Sequence, residues 1–211
     1  MSVTDATTGA EASLAQRKRQ FMREELAEAA MNLLARQGYE STTIDQMAAA
    51  AGVSRRTFFR YFESKEDVIV QSFADAGAQL CAELATRPAD EPPAVALRRA
   101  VSVLVVACRY DPERSLRLTK TMFGTPSLLG RYHERQGQWR RDLAAELGLR
   151  LGLDPARDLR PDLAAGVALI AFDTALSRWA ASDGTEDLDA LTDEAFALVA
   201  EALNIPTSAR A

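Results

Sequence analysis

The amino-acid sequence predicts an all-α protein with about nine helices: an N-terminal three-helix head carrying a helix-turn-helix, then a C-terminal antiparallel helical bundle. Three observations predict it. Apolar residues recur at i, i+3, i+4 and i+7 along most of the chain, and no stretch alternates as a half-buried strand does. Gly and Pro fall between the periodic stretches and divide them into helix-length pieces. Residues 42–65, TTIDQMAAAAGVSRRTFFRYFESK, place two capped helices around a single glycine turn.

Residues 1–13 are small and polar and are expected to form a disordered tail. A first helix follows over about 14–37, with Leu26, Ala29, Ala30, Leu33 and Leu34 as its apolar face and Gly38 as its stop. Thr42 and Thr43 supply the N-cap hydroxyl of a second helix, on which Ile44, Met47, Ala48 and Ala51 share one face. Gly52 stops it where a left-handed residue is wanted, and Val53 plugs the angle to the next helix. Ser54 caps the third helix, and Arg55, Arg56 and Thr57 lie in its first turn. That turn is the part of a recognition helix that reaches base edges in the major groove. Phe58 and Phe62, at i and i+4, hold the helix to the core. The head is therefore set at 14–63 and the bundle at 64–211.

Ser64 caps a fourth helix, with Glu66 and Asp67 placed to suit its dipole. Ile69, Phe73, Ala76, Leu80 and Leu84 mark its buried side, and Pro88, Pro92 and Pro93 end it. A helix over about 94–110, nearly all apolar from Val101 to Cys108, is expected at the centre of the bundle. Asp111-Pro112 opens a short helix bearing Leu116, Leu118, Met122 and Phe123. Gly124 and Pro126 separate it from a long helix over about 127–151. Gly152 to Pro161 is a polar connection, and two helices over about 162–182 and 187–203 complete the chain.

The segment 18–73 resembles the DNA-binding domain of TetR-family transcriptional regulators. The resemblance is carried by LAEAAMNLLARQGYESTTIDQMAAAAGVSRRTFFRYFESKED. Its order is a helix ending in Gly-aromatic, a Thr-capped helix, Ala-Gly-Val-Ser, an aromatic-rich helix, and Lys65 opening the next. The family usually has a tyrosine where this chain has Phe59, and that hydroxyl meets a DNA phosphate. Here the contact is lost or passes to Tyr61. SRRTFFRYF is also similar to a subgroup containing acyl-CoA-type and mycofactocin-linked regulators. The resemblance implies a homodimer on a palindromic operator, with 64–211 as the ligand-binding and dimerisation domain. It further implies that a small ligand shifts the helices beginning at 64 and 112 and so changes the spacing of the two heads.

Charge supports the division. The 211 residues carry a net charge of −5, which alone argues against nucleic acid. Residues 17–65, however, hold nine Lys/Arg against six Asp/Glu, a net +3, which leaves −8 for the rest. A basic head on an acidic body meets DNA while the body avoids it. With 47% hydrophobic and 26% charged residues the chain can bury a core. The start has no apolar run or early positive cluster, so no signal peptide is expected. No stretch approaches ~20 uninterrupted apolar residues, so no membrane partner is expected either. Cys81 and Cys108 lie far apart and read as reduced core thiols. The expected location is the bacterial cytoplasm, nucleoid-associated when bound to DNA.

The DNA-contact candidates are Thr43, Arg55, Arg56, Thr57, Tyr61 and Lys65. Arg55 and Arg56 are placed for bases or phosphates, Thr57 for a phosphate or a thymine methyl, and Tyr61 for a phosphate or core packing. Lys65 opens a helix against its dipole preference and needs a partner, for which a phosphate is the expected choice. Arg17, Lys18 and Arg19 are either a minor-groove arm or a solvated charge run. The long helix places Tyr132, Gln136 and Trp139 on one stripe, and a Gln there must find a hydrogen bond from a neighbouring helix or a ligand. Phe123, Phe172 and Thr174 are candidates for the same space, which would suit a small, mainly apolar effector. The helix over 162–182 is apolar on two sides. Its stripe of Leu169, Phe172, Leu176 and Trp179, with Leu191 and Leu198 of the last helix, is the expected homodimer interface.

His133 is the only histidine and nothing pairs it with a nucleophile, so no catalytic residue, metal site or cofactor is expected and the chain does not read as an enzyme. The function expected is a ligand-responsive DNA-binding transcriptional regulator, a repressor acting as a homodimer. The competing reading is an effector-free architectural or protein-interacting DNA-binding factor.

Overall fold

The computed structural model describes residues 4–203 apart from 72 and 74. The chain divides into two compact units, Met1–Ser72 and Phe73–Ala211. Among the described residues every regular element is a helix.

The first unit contains α1 (Thr4–Gln37), α2 (Ile44–Ala50), α3 (Arg55–Phe59) and α4 (Lys65–Gln71). Its core is built from the periodic apolar positions: Leu26, Ala30, Met31 and Leu34 of α1, Met47 and Ala48 of α2, Phe58 of α3, Phe62, and Val68 and Ile69 of α4. Phe58 and Phe62 pack with ring centroids 5.4 Å apart, and the Arg23 guanidinium lies over Phe62. The turn between α2 and α3 depends on Gly52, whose φ of +66° is cheap only without a Cβ. It lets Gly52 N donate to Ala49 O and Val53 N to Ala48 O, which closes the end of α2.

Three boundaries differ from expectation. The head, expected over 14–63, extends to Ser72 and takes in α4, because Val68 and Ile69 pack into its core. Helix α1 begins at Thr4, so residues 4–13, expected as a tail, extend the helix. No proline interrupts them, and alanines at 6, 10 and 12 favour helix. The expected fourth helix is divided into α4 and α5, which raises the number of helices to ten among the described residues.

The second unit contains α5 (Ala76–Thr86), α6 (Pro93–Tyr110), α7 (Pro112–Gly124), α8 (Pro126–Leu151), α9 (Arg160–Ala181) and α10 (Leu188–Leu203). Proline stands at the first or second position of α6, α7, α8 and α9, where its missing N–H costs nothing. Helix α6 packs against α5, α7, α9 and α10. Ala96, Leu97, Ala100 and Val101 of α6 are fully buried, but Val106 and Tyr110 are exposed, so α6 is central on one side only. Helix α9 is long and apolar enough in composition to cross a membrane, yet over half of it is buried inside this unit. It is the core helix of a bundle.

The apolar faces of α9 are the reverse of those expected. Leu169, Phe172, Leu176 and Trp179 are all 6% exposed or less and fill this unit's own core, together with Leu191 of α10. Leu163 and Ile170 point outward, at 60% and 66% exposed. The reason is the run of small residues. Ala164, Ala165, Ala168, Ala171 and Ala175 let α9 approach its neighbours closely, and the bulky side chains on that arc fill the space between helices. Both stripes have helical period, so periodicity does not say which one faces in.

Candidate functional site

The head presents α3 on a rigid support. Thr43 caps α2 in a reciprocal box: its hydroxyl accepts from Gln46 N, and its own N–H donates to Gln46 Oε1 at 2.8 Å. Ser54 caps α3, its hydroxyl accepting from Thr57 N at 3.1 Å and sharing a hydrogen bond with Thr57 Oγ1. These caps fix the direction in which the first turn of α3 leaves the core. The structure places Thr43, Arg55 and Arg56 at the surface of the head, with Thr57 half-buried at its edge.

The candidates divide once their partners are known. Arg56 is exposed and has no ion pair among the described residues. Arg55 is not free: Nη1 donates to both carboxylate oxygens of Asp45 at 3.1 and 3.0 Å, and the guanidinium lies 5.5 Å from the Phe59 ring centroid. Tyr61 is half-buried, its hydroxyl accepting from Arg60 Nη2 at 3.2 Å. Phe59, which stands where the family has tyrosine, is 43% exposed and packs edge-on against Phe58.

Lys65 departs from expectation. Its ammonium donates to Tyr39 O at 2.7 Å and Thr42 O at 3.1 Å, and sits 3.7 Å from the Tyr39 ring centroid. The partner its position demands is the carbonyl pair of the α1–α2 turn, inside the head, and no phosphate is needed to explain it. Tyr39 OH in turn donates to Glu66 Oε1 at 2.5 Å. Residues 27 positions apart meet here, which no local pattern could have announced. Asp45 is thus a working part of the head that no motif marks, while Tyr39, the aromatic after Gly38, and Glu66, placed for the helix dipole, take on partners that local pattern does not give.

In the second unit, Tyr132 and Trp139 of α8 are 4% and 2% exposed and pack edge-on with centroids 6.1 Å apart. Phe73 and Phe123 stand edge-on to Tyr132 at 6.3 and 6.5 Å. Gln136 finds its hydrogen bond on a neighbouring helix: Nε2 donates to Asp173 Oδ2 of α9 at 2.8 Å and to Tyr132 OH at 3.1 Å. Tyr132 OH donates to Asp173 Oδ1 at 2.7 Å. Asp173 went unnoticed in the sequence because it lies between two apolar stripes. Burial pushes its carboxyl above the usual range, against the two donors that favour its charge. Burial and the facing Asp173 carboxylate push the Tyr132 phenol well above its ordinary value. Trp139 Nε1 is buried with no hydrogen-bond partner among the described residues.

Of the other ligand candidates, Phe123 joins this cluster and Phe172 lies in the surrounding core. Thr174 does not: it is exposed on the outer face of α9, donating to Ile170 O at 2.9 Å. Of the interface candidates only Leu198 is outward, at 81% exposed. The exposed residues of α9 and α10 therefore include Leu163, Ile170, Thr174 and Leu198, beside the charged Arg178, Asp193 and Glu194. Among the described residues no cluster of His, Cys, Asp and Glu could hold a metal ion.

Residues 26–71 match the family described as bacterial regulatory proteins, tetR family, and residues 91–204 match the MftR C-terminal domain. The chain is 34% identical to the HTH-type transcriptional regulator TcmR of Streptomyces glaucescens, over 70% of this chain and 68% of that protein. It is 29% identical to MftR of Mycobacterium tuberculosis, over 74% and 81% of the two chains. Its fold is similar to that of the transcriptional regulator FadR from Bacillus subtilis, solved in complex with stearoyl-CoA. The TM-score is 0.60 at 20% identity, over 86% of this chain and 99% of the other. A capped helix-turn-helix head with an exposed arginine in its recognition turn, a helical second unit, and matches that together span both mark this chain as a member of the TetR family of transcriptional regulators.

Proposed function

We propose that this regulator is a cytoplasmic homodimeric repressor that binds a palindromic DNA operator and releases it when an acyl-type effector enters the second unit. The observation that carries the DNA reading is the exposed first turn of α3, fixed by caps at Thr43 and Ser54 and presenting Arg56. Two copies are needed because one short helix covers only a half-site. The outward residues Leu163, Ile170 and Leu198 support pairing through α9 and α10. A protein of this family acts by binding, and its second unit serves recognition and not catalysis.

The effector reading rests on the Tyr132–Gln136–Asp173 network set among Phe73, Phe123 and Trp139. Aromatic side chains with a few convergent polar groups suit a mainly apolar molecule with one polar end. The stearoyl-CoA held by the similarly folded FadR supplies the chemical class. An effector that prefers one spacing of the two heads shifts the population away from the DNA-bound state.

The test uses the full chain. Operators are selected from a randomised duplex pool, and their affinity is measured by gel shift with stearoyl-CoA, free stearate or free CoA. We expect stearoyl-CoA to weaken operator binding, and operator DNA to weaken stearoyl-CoA binding by the same factor. Failure to select any sequence overturns the regulator reading. A selected operator indifferent to all three ligands overturns the acyl reading and favours the effector-free factor.

A further inference from the structure

The Arg55–Asp45 pair joins α3 to the first turn of α2 across ten residues of sequence. Both side chains are open to solvent, at 60% and 63% exposed, so the pair contributes little stability. Its geometry is more informative. Only Nη1 is engaged, and it meets both oxygens of Asp45. Phe59 supports the guanidinium from one side, which restricts its rotation. The Nε and Nη2 donors have no partner among the described residues. That free edge is a two-donor fork, the shape that matches O6 and N7 of guanine in the major groove.

On the reading that this head binds DNA, we infer that Asp45 sets base specificity by holding Arg55 with its free Nε–Nη2 edge toward a guanine. An arginine on a mobile stem forms the same hydrogen bonds but also reaches phosphates and other acceptors. One that is clamped at Nη1 gives up those alternatives. Adenine, cytosine and thymine do not present two acceptors to the fork. The Asp45 carboxylate also disfavours close approach of a phosphate, so the clamp lowers affinity for unrelated DNA while sharpening the choice among sequences. Asp45 is a positioning residue here and touches no base.

The experiment selects sites from a randomised duplex pool with the full-length wild type, Asp45→Ala, Asp45→Asn and Arg55→Ala, then measures binding to single-base variants of the selected site. Wild type is expected to require a guanine in each half-site, with about tenfold or greater loss on its replacement. In Asp45→Ala that preference should fall to about threefold or less, with affinity for unrelated DNA unchanged or increased. Asp45→Asn keeps the shape of the clamp and should retain part of the preference, which separates loss of positioning from loss of folding. In an Arg55→Ala background, Asp45→Ala should have no further effect on base preference. The inference is overturned if Asp45→Ala leaves every position's profile unchanged, weakens all sequences alike, or still alters the profile without Arg55. If wild type selects no sequence at all, the DNA-binding reading falls with it.

Discussion

Substituting Gly77 by alanine tests the packing of the second unit at its tightest point. A Cβ added at Gly77 of α5 would lie 2.4 Å from Trp139 Cδ1 and 2.8 Å from Nε1. Both distances are far inside van der Waals contact. The indole is 2% exposed and wedged against Tyr132, so it cannot swing aside. Two effects compete. Alanine in place of glycine in a helix favours folding by about 1 kcal/mol. Overpacking a dense core costs about 1–3 kcal/mol, and contact with a rigid ring puts this site at the upper end. The net expectation is a loss of roughly 1–2 kcal/mol. Gly130 of α8 is the control: it is exposed, and nothing lies within 4 Å of its added Cβ. Gly130→Ala should therefore gain about 0.5–1 kcal/mol. The assay is thermal unfolding followed by tryptophan fluorescence, since Trp139 and Trp179 both belong to the second unit. At about 2–4 °C per kcal/mol the two variants should melt roughly 3–12 °C apart, on opposite sides of wild type. Equal stabilisation by both substitutions would show that Gly77 and Trp139 are not in contact.

Three further outcomes are expected. Lys65→Met should destabilise the head by about 1.5–3 kcal/mol, because two carbonyls lose a charged donor, while leaving the salt slope of DNA binding unchanged; a slope reduced by about 1 in gel-shift titrations would return Lys65 to a phosphate. Ile170→Glu should give a folded monomer by sedimentation, whereas Leu176→Ala should keep the dimer and lower stability by about 2–5 kcal/mol, as a core truncation does; a wild-type monomer at micromolar concentration would refute the α9–α10 interface. Asp173 governs a pH dependence. Its folded pKa is raised above the unfolded value near 3.8, so within that window the folded state holds more protons. Its contribution to stability is complete below the unfolded pKa and is lost as pH rises through the folded one. Acid titration of the melting temperature should therefore show a rise, as pH falls through the folded pKa of Asp173, that Asp173→Asn lacks, and identical profiles would exclude Asp173 as its source.

What the sequence by itself determined is local in origin. Caps, glycine stops and helical periodicity act within a few residues, so Thr43, Gly52 and Ser54 fixed α2, α3 and the turn between them, and with them the all-α class. Arg56 was legible for the same reason: an exposed charge in the first turn of a capped helix needs no distant partner to be placed. The tertiary structure decided everything that depends on who sits opposite. Lys65 was rightly read as needing a partner, but the carbonyls of Tyr39 and Thr42 that satisfy it come from another element. Asp173 holds Gln136 from 37 residues away, between stripes that a periodicity count treats as background. Helix α9 carries two apolar faces of equal period, and only its neighbours select Leu169, Phe172, Leu176 and Trp179 for the inside. Sequence period reports that a face is apolar; the direction it faces is settled by packing, because burial is a property of the space between helices and not of any one of them.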